Sequence, residues 1–191
     1  MSPLRWVLLS SRLPREPSRL RLGVWRRLRR LGAVLLHDAV WVLPAGPITR
    51  EAFEWLAEEI AEEGGTAFLW EAASLDEPQN RELVRRFRAE ADARYAALAQ
   101  SARDILRAAR RPRSRATSGA AQRERRTALR QLQGLERALR LERRRDYFRA
   151  AGRVNAATAV AAALAALDLP HSATRTAGDD HALDHPASSA R

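Results

Sequence analysis

Arg5-Trp6-Val7-Leu8-Leu9, the segment Leu20 to Leu31 with Trp25-Arg26 at its centre, Gly32-Ala33-Val34-Leu35-Leu36 and Val40-Trp41-Val42-Leu43-Pro44 follow one another directly along the chain. The short β-branched and aromatic runs, bounded by turn residues, read as strands. Leu20, Val24, Leu28 and Leu31 instead recur at three- and four-residue spacing and read as a helix. The order is strand, helix, strand, strand. Leu13 to Ser18 forms the turn into the helix, with Ser18 as its N-cap, and Gly32 ends it in the left-handed conformation. His37-Asp38 is placed as a two-residue hairpin turn, although it lacks the usual glycine.

Pro44 to Pro47 is a loop. Thr49 to Glu63 then places Phe53, Leu56 and Ile60 on one helical face and acids on the other, up to Gly64-Gly65. Thr66 to Trp70 supplies a fourth strand. The β-α-β-β-α-β order predicts an α+β, ferredoxin-like unit over residues 1–75, an antiparallel sheet with both helices on one face.

From Asp76 the composition turns to arginine, alanine and glutamate, and Val84, Phe87, Ala91, Leu98, Ala102 and Ile105 form the stripe of one long amphipathic helix. Residues 112–120 read as a linker. A second long helix from Gln122 to about Phe148 carries Leu129, Leu132, Leu135 and Leu139, so residues 79–110 and 122–148 should form an antiparallel helical hairpin outside the sheet. Arg153 to Leu167 is a short C-terminal helix, expected to dock through Val154, Val160, Leu164 and Leu167. The second unit is therefore 76–167, and 168–191 reads as a disordered tail.

The chain has 191 residues, no cysteine and a formal charge of +11, with 34 arginines and no lysine. Disulfides, thiolate metal sites and thiol chemistry are thereby excluded from the chain itself. No apolar run approaches the roughly 18 residues that span a bilayer, so the expectation is cytoplasmic, with no membrane partner. Residues 75–150 carry 21 arginines against 10 acids and hold the whole excess. A concentrated basic region suggests a polyanionic partner, most often nucleic acid; the bland alternative is the codon bias of a GC-rich genome.

Six arginines and no acid lie between Arg19 and Arg30, so Arg21, Arg26 and Arg29 or Arg30 are candidates for a basic face that takes phosphate or a tetrahedral dianion. Pairing with the acidic helix 51–63 is the competing reading, and Trp25 is expected to pack at the sheet edge. Arg107 to Arg126 holds eight arginines and one glutamate, which makes Arg110, Arg111, Arg113 and Arg115 a second candidate surface for a phosphate backbone. Arg144 is a third, beside Asp146, which could pair an arginine, and Tyr147-Phe148, which read as packing. His181 and His185 have metal-ligand spacing beside Asp180 and Asp184, but in the expected tail. Catalysis finds no nucleophile with a recognisable partner and no glycine-rich phosphate loop, so no enzyme and no cofactor are expected.

Trp6 to Leu9, Pro14, Leu20 to Leu28, Leu31-Gly32-Ala33, Val40 to Pro44, Gly64 to Ala67 and Leu141 to Phe148 together resemble the N-terminal domain of the chromate-resistance ChrB family, over about residues 4–165. The resemblance implies a cytoplasmic, DNA-binding regulator of a chromate-efflux operon, with chromate as effector, and leaves a homodimer possible. Full-length members continue into a C-terminal domain absent from this chain, so a separately encoded half is a further possible partner. The competing function is a protein-interaction module that docks an acidic partner. The sheet portion also resembles the Cas2-like module of CRISPR integration proteins and of PaaX-type repressors. A nuclease of that kind would want an acid at the end of the first strand, where this chain has Ser10-Ser11-Arg12.

Overall fold

The computed structural model describes residues 4–16, 18–110 and 118–168. The elements are β1 (Arg5–Arg12), α1 (Ser18–Leu31), β2 (Val34–His37), β3 (Val40–Pro44), α2 (Pro47–Glu62), β4 (Thr66–Ala73), α3 (Glu77–Arg110), α4 (Ser118–Arg144) and α5 (Gly152–Asp168). The structure is α+β and mostly helical. Its sheet has the order β2-β3-β1-β4, and every pairing is antiparallel. Arg111, Arg113, Arg115, His181 and His185 lie outside the described residues, as do residues 169–191 of the expected tail, whose first residue, Asp168, ends α5.

Local chemistry sets the boundaries. Gly32 takes φ +76, and its N–H and that of Ala33 donate back to the carbonyls of Arg29 and Leu28, which closes α1 in a Schellman motif. Gly64, at φ +77, closes α2 in the same way through Ala61 and Ile60. Asp38 supplies the positive φ that the hairpin turn needs. Pro47 opens α2, and the buried Thr49 hydroxyl donates to the Pro44 carbonyl at 2.7 Å.

β1 is covered on both sides. Val7 and Leu9 sit in one core with Phe53, Leu56 and Ile60 of α2 and Leu20, Val24 and Leu28 of α1. Trp6, on the opposite face, stacks on Phe87 of α3 at 5.7 Å and donates its indole N–H to Asn80 at 2.9 Å. Phe148 and Tyr147 close the same aromatic group. The first turns of α3 thus lie on the sheet rather than outside it, because an indole buried beyond the helix pair needs both an apolar lid and a hydrogen-bond acceptor.

Beyond that lid, α3, α4 and α5 form a bundle in which α4 runs antiparallel to the other two. Tyr95 packs with Leu139 and Ala156, and Ala102 with Ala128, Leu132 and Val160. Three expectations change here. The buried stripe of α3 runs through Tyr95 and Ala99, while Leu98 and Ile105 are only partly buried. α5 docks through Ala156, Val160, Ala163 and Leu167, and Val154 is 73% exposed, because small residues let three helices approach closely. α4 starts within the stretch read as linker and ends at Arg144, releasing Tyr147 and Phe148 towards the sheet. Among the described residues no helix is long and apolar enough to cross a membrane.

Candidate nucleic-acid interface

With 3.6 residues per turn, Arg19, Arg26 and Arg30 fall within about 40° of one another around α1, whereas Arg21 and Arg26 stand about 140° apart. The four sequence candidates on this helix are therefore not one face. Arg29 is drawn off by Glu90 of α3 at 2.6 Å, and Arg27 by Glu59 of α2. That single α1–α2 ion pair is the only one among the described residues, so the acidic helix compensates one arginine of six. Arg19, Arg21, Arg26 and Arg30 are exposed and face no carboxylate among the described residues. Trp25 is 52% exposed on the outer side of α1 instead of packing at the sheet edge.

α4 carries a longer stripe that the sequence reading left unnamed except for Arg144. Arg126, Arg130, Arg137 and Arg144 recur at intervals of four and seven, all exposed, within an arc of about 40° and over about 27 Å of helix. Arg130 donates to the Thr127 hydroxyl at 3.2 Å; Arg126, Arg137 and Arg144 meet no carboxylate among the described residues. The signal in the sequence is the arginine periodicity itself; the two acids between Arg130 and Arg144, Glu136 and Glu142, fall outside the arc and pair with Arg140, and with Arg94 and Arg145. Arg110 is exposed at the end of α3, and its sequence neighbours Arg111, Arg113 and Arg115 lie outside the described residues.

The two stripes are fixed to one another by a buried ionic junction. Glu142, 1% exposed, accepts from Arg94 of α3 at 2.7 Å and from Arg145 at 2.7 Å. Arg145 reaches on to the Arg29 carbonyl at 2.9 Å, and Gly32 leaves room for its side chain. The last turn of α1, with Arg29 and Arg30, is thereby held against the end of α4, with Arg143 and Arg144. Uncompensated guanidinium groups carried on two helices that are fixed to one another offer forked donors to successive phosphates, and their backbone pays less ordering on binding than a flexible tail would.

Asp146 does not pair an arginine, as the sequence had suggested. It accepts the Tyr95 hydroxyl at 3.1 Å and the Ala150 N–H at 2.9 Å, because the chain turn after α4 buries it against α3. Burial, reinforced by the Asp146 carboxylate, pushes the Tyr95 phenol far above its usual range, and burial also raises Tyr147. Among the described residues no three His, Asp or Glu side chains gather closely enough to hold a metal.

Residues 21–174 match the family described as "Protein ChrB, N-terminal". The chain is also 34% identical over 77 residues to Protein ChrB of Cupriavidus metallidurans, an alignment that spans 40% of this chain and 24% of that relative. No solved structure matches.

Proposed function

This chain belongs to the ChrB N-terminal family, and from that membership we propose that it is a cytoplasmic DNA-binding regulator of the chromate response. The observation that carries the reading is the exposed, acid-free stripe Arg126-Arg130-Arg137-Arg144, joined through Arg145 to the last turn of α1. No helix-turn-helix pattern accompanies either stripe, so the reading assigns affinity to the phosphate backbone. The strand order β2-β3-β1-β4, with β1 central, supports the ferredoxin-like reading of the sheet. Chromate enters as effector rather than cofactor, and no catalysis is assigned.

Anisotropy of a labelled duplex tests the proposal. If about six phosphates are neutralised, the log-log salt slope is roughly −5, at about −0.9 per phosphate. Replacing Arg126, Arg130, Arg137 and Arg144 by Gln should flatten it by about 3 to 4 units. A comparable set at Arg110, Arg111, Arg113 and Arg115 should have the smaller effect. Binding that is weak at low salt, or indifferent to salt, overturns the reading in favour of a module that docks an acidic protein, such as a separately encoded C-terminal half.

A further inference from the structure

The two edges of the sheet are treated differently. β2 is only four residues long, carries an irregularity between Leu35 and His37, and has the Leu35 carbonyl occupied by the Arg86 guanidinium. Those are the devices by which a sheet edge is made unable to pair. β4 has none of them. It runs for eight residues in unbroken register with β1, contains no proline, and among the described residues nothing pairs with its outer edge. Its one charged residue, Glu71, pairs with Arg5 of β1 at 2.8 Å and with Arg50 of α2. Phe68 and Trp70, two residues apart and so on one face, are each 62% exposed beside the partly buried Leu8.

We propose that the free edge of β4 is where two copies of this chain associate, β4 pairing antiparallel with β4 of the second copy. A twofold axis through Leu69 sets Phe68 opposite Trp70 of the other copy, and does so twice, so a single aromatic pair of residues satisfies both halves of the contact. Charge favours a second copy over other occupants. The chain carries +11, yet this strand has one charged residue, Glu71, and the Arg5-Glu71-Arg50 group sums to only +1, so two cationic molecules meet here with less repulsion than at the arginine stripes. A polyanion or an acidic protein would be drawn to the arginine stripes instead.

Size sets the strength. At about 200 Å² per aromatic side chain, the exposed parts of four rings bring roughly 500 Å². That is about half of the roughly 1,000 Å² that a specific interface clears, the strand backbones supplying the remainder. The dimer is therefore of the concentration-dependent kind.

Sedimentation velocity on the full chain tests this. The weight-average mass should climb from 21.4 kDa towards twice that value with concentration. Association should hold or strengthen as salt is raised from ~50 to ~500 mM, because screening removes repulsion, a sign opposite to that of duplex binding. Trp70→Lys and Phe68→Lys, both at exposed positions, should each lower the association constant at least tenfold with the far-ultraviolet circular dichroism unchanged. Trp55→Lys, which removes an equally exposed tryptophan from α2, should leave it intact. A monomer at every concentration overturns the proposal, and so does a dimer that survives both β4 substitutions. Slow hydrogen exchange of β4 amides in a strict monomer would hand the edge to another segment of the same chain.

Discussion

Replacing Glu142 by Ala should cost about 3 kcal/mol of folding free energy, near the low end of the 3–5 kcal/mol typical for removing one partner of a buried ion pair. The carboxylate is 1% exposed and both of its oxygens are used, one by Arg94 and the other by Arg145. Its loss leaves two guanidinium groups, each only 19% exposed, without their main acceptor. The low end applies because each keeps a second partner: Arg94 retains Glu90 at 3.3 Å, and Arg145 retains the Arg29 carbonyl at 2.9 Å. Glu142→Gln, which preserves one acceptor oxygen, should cost about half as much. At about 2–4 °C per kcal/mol for a chain of this length, the Ala variant should melt about 6–12 °C lower. Urea unfolding is the assay, with an unchanged slope showing that the native surface is preserved. A double-mutant cycle with Arg145→Met should return a coupling of about 1.5 kcal/mol or more. A loss under about 1 kcal/mol, the size of a surface ion pair, would show the junction to be solvated and would refute the claim that it holds α1 against α4.

Two further predictions need no partner. Tyr95 and Tyr147 are the only tyrosines, and both phenols are pushed above their ordinary value, so absorbance at 295 nm should show both titrating above pH 10 in the native state. A raised folded-state value means that the native chain holds the proton more tightly. Stability from this source is complete below about pH 10 and declines above it, so tyrosinate should appear together with unfolding; a separate step near pH 10 would contradict the burial. A pair of glycine substitutions should have opposite signs in thermal melts. Gly23→Ala, in mid-α1 with nothing within 4 Å of the added carbon, should stabilise by about 0.5–1 kcal/mol. Gly65→Ala, whose added carbon would lie 2.9 Å from the Arg12 carbonyl and 2.7 Å from Ile60 Cγ2, should destabilise by about 1–3 kcal/mol.

The order of the elements was legible in the sequence because each is decided within a few residues. A short continuous apolar run sets β1 apart from the period-3.6 spacing of α1, and Gly32 and Gly64 stop their helices by a local backbone requirement. Arginine excess was equally legible, since charge is counted and not folded. Which arginines remain free was not. Arg29 is taken by Glu90, 61 residues away, and Arg145 reaches a carbonyl 116 residues away, so only the packing of α1, α3 and α4 against one another sorts structural from available guanidinium groups. The same reason explains Tyr95 and Val154. In an alanine-rich helix many faces are apolar enough to bury, and the one that is buried is chosen by the neighbours it meets. Trp6 makes the point from the sheet. The continuous run Trp6 to Leu9 is apolar on both faces of β1, and only the arrival of Phe87, Asn80 and Phe148 from other parts of the chain shows what covers the second face.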